Sequence, residues 1–312
     1  MTILCRVIVA AALITVAGIL FTPSRCNAVE RIAVLVSSSE PPFEETLAGF
    51  RTSLEKQGLS VELEIHRLSR DPTQTAAAIA GIGKNGARLI FAMGSLGTDA
   101  AVRSITHIPL VSCLILRTDR LASTPNATGV GLEFPLKVQF ERLKAILPQV
   151  KTIGVIYNPE ENGARVEEAA RIAERMGLEL EAIEVDSPRD IPSALTALSK
   201  RVDALWGLAD TMTLSPQLAK YILLFAFRNS IPFVGPSEAW TKAGALYSLD
   251  WDYQDLGAQC GEMAARILRG APISSIPPAS PRKVYYSLNL KTSQQIKVDI
   301  PEDAVKKARR IY

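Results

Sequence analysis

The sequence predicts an α/β protein of two open lobes, each a parallel sheet with helices on both faces. Two observations carry that prediction. Short runs rich in Val and Ile alternate with stretches of helical spacing, and from residue 152 the same alternation starts again.

Taken in order, residues 1–28 stand apart. Arg6, the apolar run 7–21, Pro23 and the Cys26-Asn27-Ala28 end form the pattern of a secretory signal peptide cut after Ala28. The run is shorter than the ~20 residues a membrane span needs. Pro23-Ser24-Arg25 before Cys26 argue against a lipid-modified cysteine, which wants a small residue there. Apolar runs then predict strands at 31–36, 60–65, 88–92 and 109–112, with helices between. The stretch 126–135 (NATGVGLEFP) reads as a crossover, after which strands follow at 152–157, 178–185, 203–207 and 231–234. Between them, Val166, Ala169, Ala170, Ala173 and Met176 recur at helical steps over 161–176, and Gly177 supplies the stop. From Asp255 to Gly270 a further amphipathic helix places Leu256, Met263, Ile267 and Leu268 on one side, before a Pro-rich connector.

Composition removes several function classes. Without residues 1–28 the chain carries 33 basic against 32 acidic residues, too even a balance for a nucleic-acid partner. Cys113 and Cys260 are then the remaining cysteines and are expected as two buried thiols, since a domain of this size needs no disulfide staple. The turn after the first strand reads Ser37-Ser38-Ser39-Glu40-Pro41-Pro42, without the glycines of a dinucleotide site. Gly94-Ser95-Leu96-Gly97 has the wrong spacing for a nucleophile elbow. His66 and His107 lack partner patterns for catalysis, and no metal-ligand spacing occurs, so neither enzyme activity nor a cofactor nor a metal is expected.

What the strand ends carry is small polar residues. Ligands of open parallel sheets sit outside the carboxyl ends of strands, near helix N-termini. Ser37, Ser38 and Ser39 follow the first strand, Gly94 and Ser95 the third, Tyr157 and Asn158 the first strand of the second half, Asp210 and Thr211 a later one, and Ser237 and Glu238 the last. Singly, each fits a helix cap or a turn. Together they outline a cleft able to grip a small polar molecule.

The pieces RIAVLVSS, FAMGSLGTDAA (91–101), NATGV (126–130), ILPQVKTIGVIYNPEENG (146–163), the segment 231–270 and the tail LNLKTSQQIKVDIPEDAVKKARRIY stand in an order that resembles one family. It is that of the ABC-transporter substrate-binding proteins, in their tryptophan/tyrosine-binding-like group of the type I periplasmic binding fold. The resemblance covers the chain beyond residue 28. It implies two Rossmann-like lobes joined by three hinge crossings, lobe one being 29–128 plus 250–279 and lobe two 129–249 plus 280–312. It further implies a monomer in the periplasm that captures a small molecule, an amino acid or related compound, and passes it to an ABC permease of the inner membrane. A sensory partner, in which the liganded protein engages a signalling receptor, is the alternative, and an unrecognised hydrolase or transferase the third reading. The family's contacts map to Ser38, Ser39 and Glu40, to Gly94, Ser95 and Leu96, to the Tyr157 loop, to Asp210 and to the Ser237 region, with Thr211 beside them.

Departures from the family leave the ligand open. Glu40-Pro41 stands where relatives have His-Pro, Ser95-Leu96 where they have Thr-Pro, and CLILRTDR lacks their Asp-Pro. Asp210 is retained and suits an α-ammonium as a charge-assisted acceptor. Pro42, Glu44 and Glu45 are accounted for by helix initiation alone, which leaves Ser38 and Ser39 as expected ligand contacts. Trp206, Trp240 and Trp251 suit core packing, and one lining the cleft would favour an aromatic or apolar ligand.

Overall fold

The computed structural model describes residues 29–69, 71–82, 85–211 and 216–312; the expected signal peptide lies outside the described residues. The first lobe runs β1 (Glu30–Val36), α1 (Pro41–Lys56), β2 (Val61–Arg67), α2 (Pro72–Ile82), β3 (Leu89–Met93), α3 (Ser95–Ser104), β4 (Leu110–Ile115), α4 (Asp119–Ala122) and β5 (Ala127–Gly131). Its sheet has the order β2-β1-β3-β4-β5, all parallel. Strand β1 explains why such strands read as unbroken apolar runs. Ile32, Val34 and Val36 enter one core layer while Ala33 and Leu35 enter the layer on the opposite face.

The second lobe begins with α5 (Leu136–Ile146), β6 (Thr152–Tyr157), α6 (Pro159–Arg175), β7 (Glu179–Glu184), α7 (Ile191–Leu198) and β8 (Ala204–Trp206). It continues through α8 (Pro216–Arg228), β9 (Phe233–Gly235), α9 (Glu238–Ala243) and β10 (Tyr247–Trp251). Helix α6 starts two residues earlier than its periodicity implies, because the Asn158 side chain accepts the Glu160 N–H and Pro159 occupies the first turn. The chain then returns to lobe one as α10 (Tyr253–Leu268) and re-enters lobe two for β11 (Val284–Leu288), α11 (Leu290–Ile296), α12 (Glu302–Lys306) and β12 (Arg310–Ile311). The crossings therefore fall after Gly131, between Trp251 and Tyr253, and between Ala279 and Val284. At the last of these, Gly131 N–H donates to the Ala279 carbonyl and Ala279 N–H to that of Gly129.

The second sheet, β12-β11-β10-β9-β8-β6-β7, departs from an all-parallel expectation: β11 runs antiparallel to β10. The direction follows from the path. The chain leaves lobe two at the carboxyl end of β10 and comes back at that same end, so its next strand must run the other way.

Helix α10 covers lobe one by packing against α1 at backbone contact. A methyl group on Gly257 would lie 1.9 Å from the Thr46 carbonyl oxygen, and one on Gly49 2.0 Å from that of Gln254. Leu256, Ile267 and Leu268 enter the same core layer as Ile32 and Val34, with Met263 packed against it. Cys113 and Cys260 are both buried free thiols in this layer.

Candidate functional site

On the lobe-one side, neighbouring strands bring two of the expected loops together. Ser37 N–H donates to the Met93 carbonyl at 3.2 Å, and the Ser37 hydroxyl accepts the Gly97 N–H at 3.0 Å, tying the loop after β1 to the first turn of α3. Gly94 holds a φ of +86°, and a Cβ there would meet the Ser37 side chain at 2.9 Å, so only glycine lets the loops approach. The Ser38 hydroxyl accepts the Glu40 N–H at 3.3 Å. Ser39, Glu40 and Ser95 are exposed, and Leu96 is half-buried. Glu40 sits at the N-cap of α1 without a side-chain capping bond.

On the lobe-two side, Asp210 is 1% exposed, and its Oδ2 accepts the Asn158 N–H at 2.8 Å and the Asn162 side-chain amide at 2.9 Å. It thus clamps the junction of β6 and α6. Thr211 bonds the Glu161 carboxylate through both its N–H and its hydroxyl. Ser237 takes the N-cap position of α9 with no side-chain bond to the helix. The lobes meet where the Arg117 guanidinium, following β4, donates to the Glu161 carbonyl in the first turn of α6 at 2.6 Å.

Tyr157 turns away from this rim. It enters the lobe-two core, and its hydroxyl donates to Glu184 of β7 at 2.8 Å. Burial, then the bond to Glu184, pushes the phenol up to about 12. Tyr157→Phe is accordingly expected to leave ligand affinity within about twofold while costing about 1 kcal/mol of stability, read by calorimetric titration and urea unfolding.

A pocket opens at the junction of the lobes and runs under the carboxyl ends of β8 and β9, with about 660 Å³ of atom-free space including its mouth. Leu116 and Leu132 line it from the lobe-one side; Phe134, Phe140, Trp206, Tyr247 and Trp251 give it an aromatic wall. Those rings are held in place. Trp251 stacks on Phe134 with centroids 5.5 Å apart and donates its indole N–H to the Leu132 carbonyl at 2.7 Å. Trp206 meets Phe140 edge-on and donates to Gln139 Oε1 at 3.1 Å. Trp240 instead packs with Phe233 in the core on the opposite face of the sheet. At the pocket edge Arg165 and Glu133 pair at 2.7 Å. Burial raises the Glu133 carboxyl and lowers the Arg165 guanidinium, and each charge opposes the shift of the other.

One buried residue near the second crossing is absent from the sequence-based set. Asp250, near the end of β10, is 6% exposed, and its Oδ2 is buried with no hydrogen-bond partner. Strand alternation places Tyr247 and Leu249 on the pocket face and Ser248 and Asp250 on the other, beside Ser287 of β11 and Thr241 of α9. Burial pushes the Asp250 carboxyl up to about 6, against the hydrogen bonds of Ser287 and Ser248, with Glu238 adding to the rise. The signal in the sequence was slight: Ser248-x-Asp250 within the otherwise apolar strand YSLDW.

Two α/β lobes with hinge crossings at one side, and a pocket where strand ends meet, define a bilobal small-molecule binding protein. The chain belongs to the ABC transporter substrate-binding protein family, whose profile matches residues 31–311. Among relatives, it is 24% identical to a tyrosine-binding protein of Clostridioides difficile over 254 residues, covering 76% of this chain and 72% of the relative. Among solved structures, an ABC domain in complex with L-Trp from Streptococcus pneumonia is 25% identical with a TM-score of 0.63, covering 91% of this chain and all of that one. A ligand-free, open substrate-binding protein with adhesive properties from Clostridium difficile is 22% identical with a TM-score of 0.77, covering 90% of this chain and 99% of that one. Family membership implies a small-molecule ligand and an ABC transporter as partner, and work outside the cytoplasm. Among the described residues no helix is long and apolar enough to cross a membrane.

Proposed function

We propose that the protein captures an amino acid with an aromatic or large apolar side chain between its lobes and delivers it to an ABC permease. The observation that carries this reading is the aromatic-walled pocket at the lobe junction, in which Trp206 and Trp251 are fixed by their indole hydrogen bonds. A pocket of that lining takes apolar rings, while the polar strand ends beside it serve a carboxylate and an ammonium. The tyrosine- and L-Trp-binding relatives support the same ligand class. Contacts from both lobes favour the closed form, and a permease that reads closure would receive only loaded protein.

The test is thermal unfolding and intrinsic tryptophan fluorescence of the purified protein against the proteinogenic amino acids and their amines. A true ligand at ~100 times its dissociation constant adds about 2.7 kcal/mol of stability, and with tyrosine or phenylalanine it alters the emission of Trp206 and Trp251. Stabilisation confined to small acids or sugars would sink the aromatic reading. Replacing Ser38 and Ser39 together by Ala is expected to weaken binding about tenfold, the loss of one or two hydrogen bonds; unchanged affinity in a folded variant removes them from the site. Delivery is tested by uptake of the labelled ligand in cells with and without the protein.

A further inference from the structure

We propose that Asp250 is the acceptor for the ammonium group of the captured molecule, and that the end of β10 is a built subsite for an organic cation at the floor of the cleft. This rests on the amino-acid reading above and says which carboxylate does the work.

The hydroxyls beside Asp250 have few protons to give. Thr241 donates its hydroxyl to Ser248 Oγ at 2.8 Å, Ser248 and Ser287 lie 3.0 Å apart, and Ser248 reaches Asp250 Oδ1 at 3.4 Å. Ser248 and Ser287 hold one proton each to share among these contacts. Oδ2 is buried and receives none. A carboxylate oxygen kept from water without a donor is costly, and such a group persists where a ligand supplies the missing donor.

The charges around it are committed elsewhere. Glu238, at the start of α9, accepts from Arg310 at 2.6 Å and from the Tyr312 hydroxyl. Arg309 donates to the Trp251 carbonyl at 2.7 Å and lies over the Tyr285 ring. Tyr253, in the first turn of α10, is held protonated, its phenol pushed up to about 12 by burial, with Asp250, Glu45 of α1 and Glu238 adding to the rise. Asp250 and Tyr253 flank the second crossing, the one near the end of β10 in lobe two and the other at the start of α10 on lobe one. Among the described residues no guanidinium or ammonium bonds Oδ2, and no group of three or more His, Cys, Asp and Glu could hold a metal there. The donor set therefore suits a monovalent organic cation. Asp210 is differently placed, its Oδ2 already taking two donors of the chain.

The experiment is calorimetric titration of the wild-type protein and Asp250→Asn with L-tyrosine and its desamino analogue, 3-(4-hydroxyphenyl)propionate, followed by the remaining L-amino acids. The wild type is expected to prefer the ammonium-bearing compound by about 10- to 100-fold, the range for a hydrogen bond between charged groups. Asp250→Asn should lose most of that preference on the amino-acid arm alone. A variant that binds L-tyrosine as the wild type does overturns the subsite while amino-acid capture stands. A wild type with no preference does the same. A wild type that binds no L-amino acid overturns both. Should Asp250→Asn fail to fold, the wild-type preference measured from about pH 5 to 8 decides: collapse through about 6 supports the assignment, and a flat profile overturns it.

Discussion

Asp250→Asn is expected to produce a protein that is more stable and a poorer binder. The folded state holds the Asp250 carboxyl at about 6 against an ordinary value of 3.8, with burial as the main cause. A group whose pKa is raised on folding favours the fold in acid. That contribution is fully present below the unfolded value and is lost as pH rises through about 6, leaving an uncompensated carboxylate at neutral pH. A tenfold gain in proton affinity on folding corresponds to ~1.4 kcal/mol, and solvent at the cleft takes up part, so removing the charge should add roughly 1–2 kcal/mol at pH 7 and little at pH 4. Urea unfolding at the two pH values checks this; equal effects at both would mean that ionisation is not the cause. In the wild type, affinity for an ammonium-bearing ligand should fall below about pH 6 as the acceptor protonates. Glu238, Arg309 and Tyr253 surround the same carboxyl. Glu238 is held by Arg310 and Tyr312, and Glu238→Gln provides a separate control for its charge.

Gly257→Ala should be the most damaging methyl group one can add to the α1–α10 contact. The new carbon would sit 1.9 Å from the Thr46 carbonyl oxygen and 2.8 Å from its carbon, both backbone atoms of a residue on the buried face of α1. Neither can move without separating the two helices, so a loss of about 3 kcal/mol or more is expected in urea unfolding. Gly163, within α6, has nothing within 4 Å of the equivalent position. Gly163→Ala should therefore stabilise by about 0.5–1 kcal/mol through helix propensity alone. A similar outcome at both positions would refute the packing argument. Because α10 follows the second crossing directly, displacing it also moves the Trp251–Tyr253 connection, and binding should weaken along with stability.

The alternation of strands and helices was legible because both faces of each sheet are buried, so β1 or β6 announces itself as an apolar run. The antiparallel β11 was not legible, since its direction depends on where the chain re-enters and not on its own residues. Within the crossover 126–135, β5 was hidden for a related reason: Asn126-Ala127-Thr128-Gly129 carries turn-forming residues, yet Gly129 lies against the Ser112 backbone inside the sheet. Strand-end polar residues were legible as loops, and those after β1 and β3 meet through Ser37 and Gly97. Several then proved to have partners within the chain: Asp210 on Asn158 and Asn162, Tyr157 on Glu184, Thr211 on Glu161. Which polar group spends its hydrogen bonds internally and which leaves one open is decided by neighbours distant in sequence. That is why Asp250, facing Ser287 and Thr241, could be recognised only in three dimensions.

The Ser53 hydroxyl donates to the Ala258 carbonyl at 3.0 Å across 205 residues of chain, the closest packing in lobe one thus joining its beginning to a late segment. During synthesis, strands β6 to β10 are complete before that segment exists. The first lobe must wait, with the apolar side of α1 uncovered, until α10 emerges and docks. Contacts of such wide separation form slowly. The second lobe likewise takes β11 and β12 from beyond α10, so refolding should be slow in both lobes, and the hinge, which requires both, is the last part of the molecule to become itself.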